Sequence, residues 1–182
     1  MFRSILQICV LLIVLVGCQQ LLQNRAAQDN IDSQSATAPT EQLVGRVVRV
    51  IDGDTVSVLD AQKAEHRIRL SQIDAPETKQ AYSNAAKQTL SKLIANKEVT
   101  VKLDGVDRYK RVLGEIFIAD QNVNLYLVRN GFAWAYTAYV TDKKYLDAQA
   151  LAQKERLGLW ADSDAVAPWD FRRQQRQQRQ QK

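Results

Sequence analysis

Val50-Ile51-Asp52-Gly53-Asp54-Thr55-Val56-Ser57-Val58 reads as a strand, a tight turn and a returning strand. Val44, Val47, Val48, Val50 and Ile51 make the first run β-branched and apolar, and Asp-Gly between two such runs is a strong hairpin signal. Val56 and Val58 alternate with Ser57 on the way back. A third strand is expected from His66 to Ile73, with Ile68 and Leu70 on one side and Arg67, Arg69 and Ser71 on the other, ended by Pro76. Ser83 is placed to cap a helix bearing Ala86, Leu90, Leu93 and Ile94 at helical spacing. Val99, Val101 and Leu103 suggest a fourth strand, and Val112 to Ile118 a fifth. Val123 to Asn130 reads as a short helix stopped by Gly131, and Asp142 to Leu157 as a longer one stopped by Gly158, with Tyr145, Ala148 and Ala152 inward. Three strands before any helix argue against a doubly wound sheet. Five short strands with a helix between the third and fourth suit an α+β fold, a five-stranded β-barrel of the OB type with three α-helices.

The hairpin turn also starts the chemistry. Asp52 and Asp54 lie at i and i+2, so an extended backbone points both to one side. Asp74-Ala75-Pro76-Glu77 adds two more acids about twenty residues on. Each turn alone is ordinary, Pro76 suiting the second position of a turn. Four carboxylates in one short window repel unless something positive lies among them, and a hard divalent cation with oxygen ligands answers that need. His66 is the only histidine, which excludes multi-histidine zinc sites and histidine-dependent nuclease chemistry. Arg69 sits near the acids, and Arg111 follows in Asp107-Arg108-Tyr109-Lys110-Arg111. A metal ion and two guanidiniums are what a phosphodiester requires. Alone, Arg69 reads equally well as a barrel-surface residue and Arg111 as a solvated turn residue.

The flanks differ in character. Residues 1–17 combine a charged start at Arg3 with an apolar run from Ile5 to Val16, too short for a span of roughly 20 residues. The run ends in Leu15-Val16-Gly17-Cys18, which resembles a bacterial lipobox with Cys18 as lipid acceptor; an ordinary signal peptide or a core helix are the alternatives. The other of the two cysteines, Cys9, lies inside that segment, so the exported part is expected to hold no disulfide. Residues 18–42 are polar and read as a tether, 43–170 as one domain, and 171–182 as a basic Gln/Arg-rich tail. The formal net charge is +5, and Arg172, Arg173, Arg176, Arg179 and Lys182 account for all of it. The tail is expected to be solvated; if functional, it would attract nucleic-acid phosphates or anionic lipid.

From Leu43 to Trp160 the chain resembles the staphylococcal nuclease (thermonuclease) family. The resemblance rests on Val50 to Thr55, Arg69 to Glu77, Asp107 to Arg111, Leu127-Val128-Arg129-Asn130-Gly131 and Leu157-Gly158-Leu159-Trp160, in this order and spacing. It implies an OB-type barrel with three helices and Ca²⁺-dependent hydrolysis of DNA and RNA phosphodiesters, endo- and exonucleolytic. It implies that Asp54 and Asp74 ligate Ca²⁺ with the backbone carbonyl of Ala75, with Asp52 near the ion. Glu77 would orient or deprotonate the attacking water, and Arg69 and Arg111 would hold the phosphate. Tyr109 would lie near a terminal phosphate or sugar, and Tyr136 and Tyr139 are candidates for a base pocket. Lys110 departs from the family, which often has glycine there, and the loop after Glu77 is short. Tyr136 and Tyr139, with Trp134, suit core packing better than a stacking platform.

The leading expectation is therefore a lipid-anchored, exported, monomeric calcium-dependent nuclease on the extracytoplasmic side of a membrane. A non-catalytic nucleic-acid-binding OB module and a structural envelope lipoprotein are the alternatives.

Overall fold

The computed structural model describes residues 41–181; the leader, Cys18 and nearly all of the expected tether lie outside them. Strands β1 (Gln42–Val50), β2 (Thr55–Asp60) and β3 (Glu65–Leu70) form an antiparallel meander. A turn leads to β4 (Ile73–Asp74), then α1 (Ser83–Ile94), β5 (Glu98–Val106) and β6 (Val112–Ile118). The sheet order β3-β2-β1-β5-β6 closes on itself because β3 also pairs parallel with β6, Ile68 opposite Val112. A five-stranded closed barrel removes the exposed edges that an open meander of this length would leave. Short β7 (Gln121–Asn122), α2 (Val123–Arg129), β8 (Trp134–Ala135), α3 (Lys143–Lys154), a 3₁₀ turn at Gly158–Ala161 and α4 (Pro168–Gln180) complete the described residues.

The alternation read from sequence sets the core. Val47, Val56, Val58, Ile68, Leu70, Val99, Val101 and Ile116 fill the barrel, all essentially inaccessible. Ala86, Leu90 and Ile94 of α1 and Val123, Leu127 and Val128 of α2 cover it. Burying each large aliphatic side chain stabilises by roughly 1.5–3 kcal/mol. Gly131 and Gly158, both left-handed, touch across their backbones: Leu159 N–H donates to the Gly131 carbonyl at 2.9 Å, and a Cβ on Gly131 would lie 2.1 Å from the Leu157 carbonyl oxygen. These helix stops are also a packing contact.

Three local expectations change. The third strand ends at Leu70, and Ile73–Asp74 is a separate two-residue strand paired with β8. Ser83 does not cap α1; Tyr82 holds that place in a left-handed conformation, and the Ser83 hydroxyl instead donates to the Thr78 carbonyl at 3.2 Å. The tail is not simply solvated. Pro168 at the first helical position, with the good helix formers arginine and glutamine from Arg172 onward, makes a fourth helix of 13 residues.

Candidate active site

Two turns meet at one end of the barrel. The first joins β1 to β2, with Ile51 N–H donating to the Thr55 carbonyl at 2.9 Å. The second is Asp74 to Glu77, after β4. A Cβ on Gly53 would lie 2.7 Å from Ala75 Cβ and 2.9 Å from Ala86 Cβ, so only glycine lets the first turn nest against the second and α1. That closeness brings Asp54 to Asp74. Asp54 Oδ2 accepts the Ala75 N–H at 2.7 Å, and Asp54 Oδ1 accepts from the Thr55 hydroxyl at 3.2 Å.

Arg69 fastens the pair. It leaves the outward face of β3, but the chain folds back over it at residues 71–76 and leaves it only 9% exposed. Its Nη1 donates to the carbonyls of Leu70 at 2.6 Å and Ile73 at 3.0 Å. Its Nη2 lies 2.9 Å from Asp74 Oδ1 and 3.1 Å from Asp54 Oδ2. One guanidinium thus meets two carboxylates that are themselves 2% and 7% exposed. It does not fully compensate Asp54. Burial pushes the Asp54 carboxyl up to about 7, Arg69 pulls it down, and Asp52 and Asp74 raise it further. Asp52 accepts the Asp54 N–H at 3.1 Å within its own turn.

The surplus negative charge and an all-oxygen donor set fit a hard cation such as Ca²⁺. Among the described residues, no three Asp, Glu, His or Cys side chains cluster as ligands. The carboxylate oxygens that the fold does bring together are those of Asp54 and Asp74, with Asp52 in the same turn as Asp54.

The remaining sequence-derived candidates divide. Glu77 is brought to the cluster through Arg172, which no sequence expectation had placed there. Arg172 Nη1 donates to Glu77 Oε1 at 2.7 Å, and its Nη2 to Asp74 Oδ2 at 2.8 Å. Burial disfavours that charge, but the bonds to Asp74 and Glu77 outweigh it and hold the guanidinium above its ordinary pKa. Tyr136 Oη is 3.5 Å from Arg172 Nη2, and its ring stacks on Trp169 with centroids 5.3 Å apart and planes 2° from parallel. Tyr136 and Tyr139 do not belong to the core: Tyr136 is half-buried, and Tyr139, edge-on to it at 4.7 Å, is 66% exposed. The expectation of core packing fails because α4 brings its own aromatic, Trp169, to Tyr136 from outside.

Arg111 makes no hydrogen bond or salt bridge to the acidic cluster among the described residues. Its Nε donates to Asp107 Oδ2 at 2.8 Å, and it lies over the Tyr109 ring at 5.7 Å. Arg111 immediately precedes Val112, which the parallel β3–β6 register sets opposite Ile68. The tight turn that presents it survives the missing glycine, because Lys110 itself adopts φ 61°. Tyr109 is 66% exposed beside it. His66 bonds Asp60 at 2.7 Å and belongs to the β2–β3 hairpin.

A closed OB-type barrel whose two acidic turns are held by a buried arginine defines the class. The family profile described as "Staphylococcal nuclease homologue" matches residues 67–162. The chain is 48% identical over 129 residues to an "Uncharacterized endonuclease" of Escherichia coli, covering 70% of this chain and 84% of that protein. It is 44% identical over 131 residues to an "Uncharacterized endonuclease" of Haemophilus influenzae (72% and 74%). It is 41% identical over 140 residues to a "Micrococcal nuclease" of Shigella flexneri (71% and 80%). The chain belongs to the staphylococcal nuclease family.

Proposed function

We propose that this protein is a calcium-dependent nuclease that hydrolyses phosphodiester bonds in DNA and RNA outside the cytoplasm, anchored to a membrane by lipid on Cys18. Family membership and relatives named as nucleases support the reaction class. The observation that carries the site is Arg69 bridging two buried carboxylates, Asp54 and Asp74, while burial and the neighbouring acids still hold the Asp54 carboxyl up. The leader, the Leu15-Val16-Gly17-Cys18 sequence and the polar stretch after it support export and anchoring. Extracellular calcium is plentiful enough for weak sites.

Bound Ca²⁺ would supply Lewis-acid neutralisation of a phosphate oxygen and a place for water. Asp54, Asp74 and the Ala75 carbonyl would hold it. Glu77, at the rim and 39% exposed in its side chain, orients the attacking water or takes its proton. Arg111 would hold the phosphate oxygens as charge grows in the transition state, as would Arg69 through its Nε edge, its two Nη atoms being held by Leu70, Ile73, Asp54 and Asp74; the planar fork of arginine suits that task better than the point charge of lysine. Tyr109, beside Arg111, and Tyr136 and Tyr139, on the side of Arg172, would border the substrate. Nothing in this arrangement reads base edges, which suits a substrate class defined by the phosphate backbone.

The test is direct. Purified full chain in detergent is incubated with plasmid and with RNA, in Ca²⁺ or in a chelator. Cleavage of both in Ca²⁺ and of neither in the chelator is expected. Nucleic-acid binding without cleavage under either condition would contradict it and identify a non-catalytic module.

A further inference from the structure

The first two turns of α4 are spoken for by the barrel: Trp169 stacks on Tyr136, and Arg172 binds Asp74 and Glu77. At roughly 100° per residue, Trp169, Arg172, Arg176 and Arg179 share an arc of about 80° on the helix. The face that meets the domain at 169 and 172 therefore continues as Arg176 and Arg179, both at least partly open to solvent. They lie roughly 6 and 10 Å beyond Arg172 along the axis.

Neither has an acidic partner within salt-bridge distance among the described residues. The one acid of α4, Asp170, pairs with Arg173 at 2.8 Å, and every other residue from 174 to 181 is glutamine or arginine. The five basic residues of 172–182 carry the whole formal excess of +5. The protein thus presents a stripe of guanidiniums that starts at the carboxylates of the proposed cleavage site and runs outward, with nothing along it to repel a polyanion.

We propose that Arg176 and Arg179 form a second phosphate-binding surface, a track for the nucleic-acid strand leaving the cleavage site. The inference rests on the nuclease reading above. Arginine binds phosphate oxygens in pairs, and a strand rising about 3.4 Å per nucleotide would pass roughly three phosphates along the ~10 Å stripe. Pro168 and the Trp169 stack fix the helix start, so the stripe has a defined direction. A polynucleotide is the occupant because the stripe is continuous with a phosphodiester site.

Arg176→Gln/Arg179→Gln is made in the full chain. Affinity for a labelled single-stranded oligonucleotide is measured in chelator across a series of salt concentrations. Each phosphate that is no longer neutralised lowers the slope of log K against log salt by about 0.7. The slope is expected to fall by about 1.4 for DNA and RNA alike, and Arg176→Lys/Arg179→Lys is expected to keep it, since counterion release needs charge alone. In Ca²⁺, KM should rise more for an oligonucleotide long enough to reach α4 than for a dinucleotide. An unchanged slope, or a KM change equal at both lengths, overturns the track. So does weakened binding to phosphatidylglycerol vesicles with the oligonucleotide slope intact, which would assign the stripe to lipid. If the slope falls but the parent chain cleaves nothing in Ca²⁺, the nuclease reading fails and the track stands.

Discussion

Buried carboxylates gather donors in two places, and they do so differently. Glu115 on β6 is 5% exposed and accepts from the Tyr145 hydroxyl, from Asn122 Nδ2 at 3.2 Å and from Gln72 Nε2 at 3.2 Å, with Lys144 Nζ at 3.5 Å. Nearby Asn124, fully buried, accepts the Ile116 N–H and donates to the carbonyls of Ser71 and Gly114. Here one negative group is surrounded by several donors, and the network ties α2, α3 and the turn after β3 to the barrel. At the two acidic turns, the four carboxylates of Asp52, Asp54, Asp74 and Glu77 face two guanidiniums, the buried Arg69 on Asp54 and Asp74 and the half-buried Arg172 on Asp74 and Glu77, and Asp54 is held near 7. A satisfied network rigidifies a fold, whereas an under-compensated one is poised to take up positive charge. The difference separates structural polar burial from the proposed functional site in the same small barrel.

Substitutions can break that contrast from either side. The largest effect is expected from Arg69→Lys, which keeps a charge but loses the fork. Turnover should fall by on the order of 10²-fold or more, comparable to losing one fixed donor to a developing oxyanion, and Arg111→Lys should fall likewise. Near-parental turnover in purified variants would remove these residues from the phosphate site.

Next is Tyr145→Phe, which strips Glu115 of a buried donor. A decrease of about 1–3 kcal/mol in denaturant unfolding is expected, with nuclease turnover retained. Lower turnover at unchanged stability would mean that the Glu115 network is not merely structural.

Asp54→Asn should move stability the other way. In chelator and above pH 7 it removes a charge whose burial the folded state disfavours, so the variant is expected to be the more stable there. The pH dependence has a definite sign. A carboxyl raised in the folded state binds its proton more tightly there than when unfolded. Its contribution is therefore fully favourable below pH 3.8 and is lost as pH rises toward about 7. The calcium-free parent should lose stability over that interval by more than Asp54→Asn does, and parallel curves would contradict the assignment. The smallest effect is expected at Lys110, whose left-handed backbone costs roughly 1 kcal/mol. Lys110→Gly should change the melting temperature by only a few degrees, upward, because the relieved strain is partly offset by glycine's freedom when unfolded.

Much of the molecule is legible in the sequence because it is local. Alternating Val56/Val58 and Ile68/Leu70 mark the barrel faces, and Asp52 to Thr55 and Asp74 to Glu77 mark the two acidic turns. Arg69 illustrates the limit. Its position in the alternation says only that it points out of the barrel, and its burial comes from residues 71–76 folding over it. Arg172 escapes sequence reasoning because a Gln/Arg-rich stretch carries no apolar period. Pro168 as a helix start, with Trp169 and Phe171 beside it, is the available signal. Tyr136 reads as core for want of its partner, which lies more than thirty residues away at Trp169. Asn124 stands inside an apolar helix pattern, and its bonds to Ser71 and Gly114 are tertiary. Cys18 and residues 1–40 lie outside the described structure, so the proposed anchoring rests on their sequence.

Calcium binding tests the centre of this account most directly. Isothermal titration of the chelator-treated protein should show one Ca²⁺ per chain, and Asp54→Ala should abolish that binding. Undiminished binding in the variant would contradict the assignment of the two acidic turns to a shared metal site.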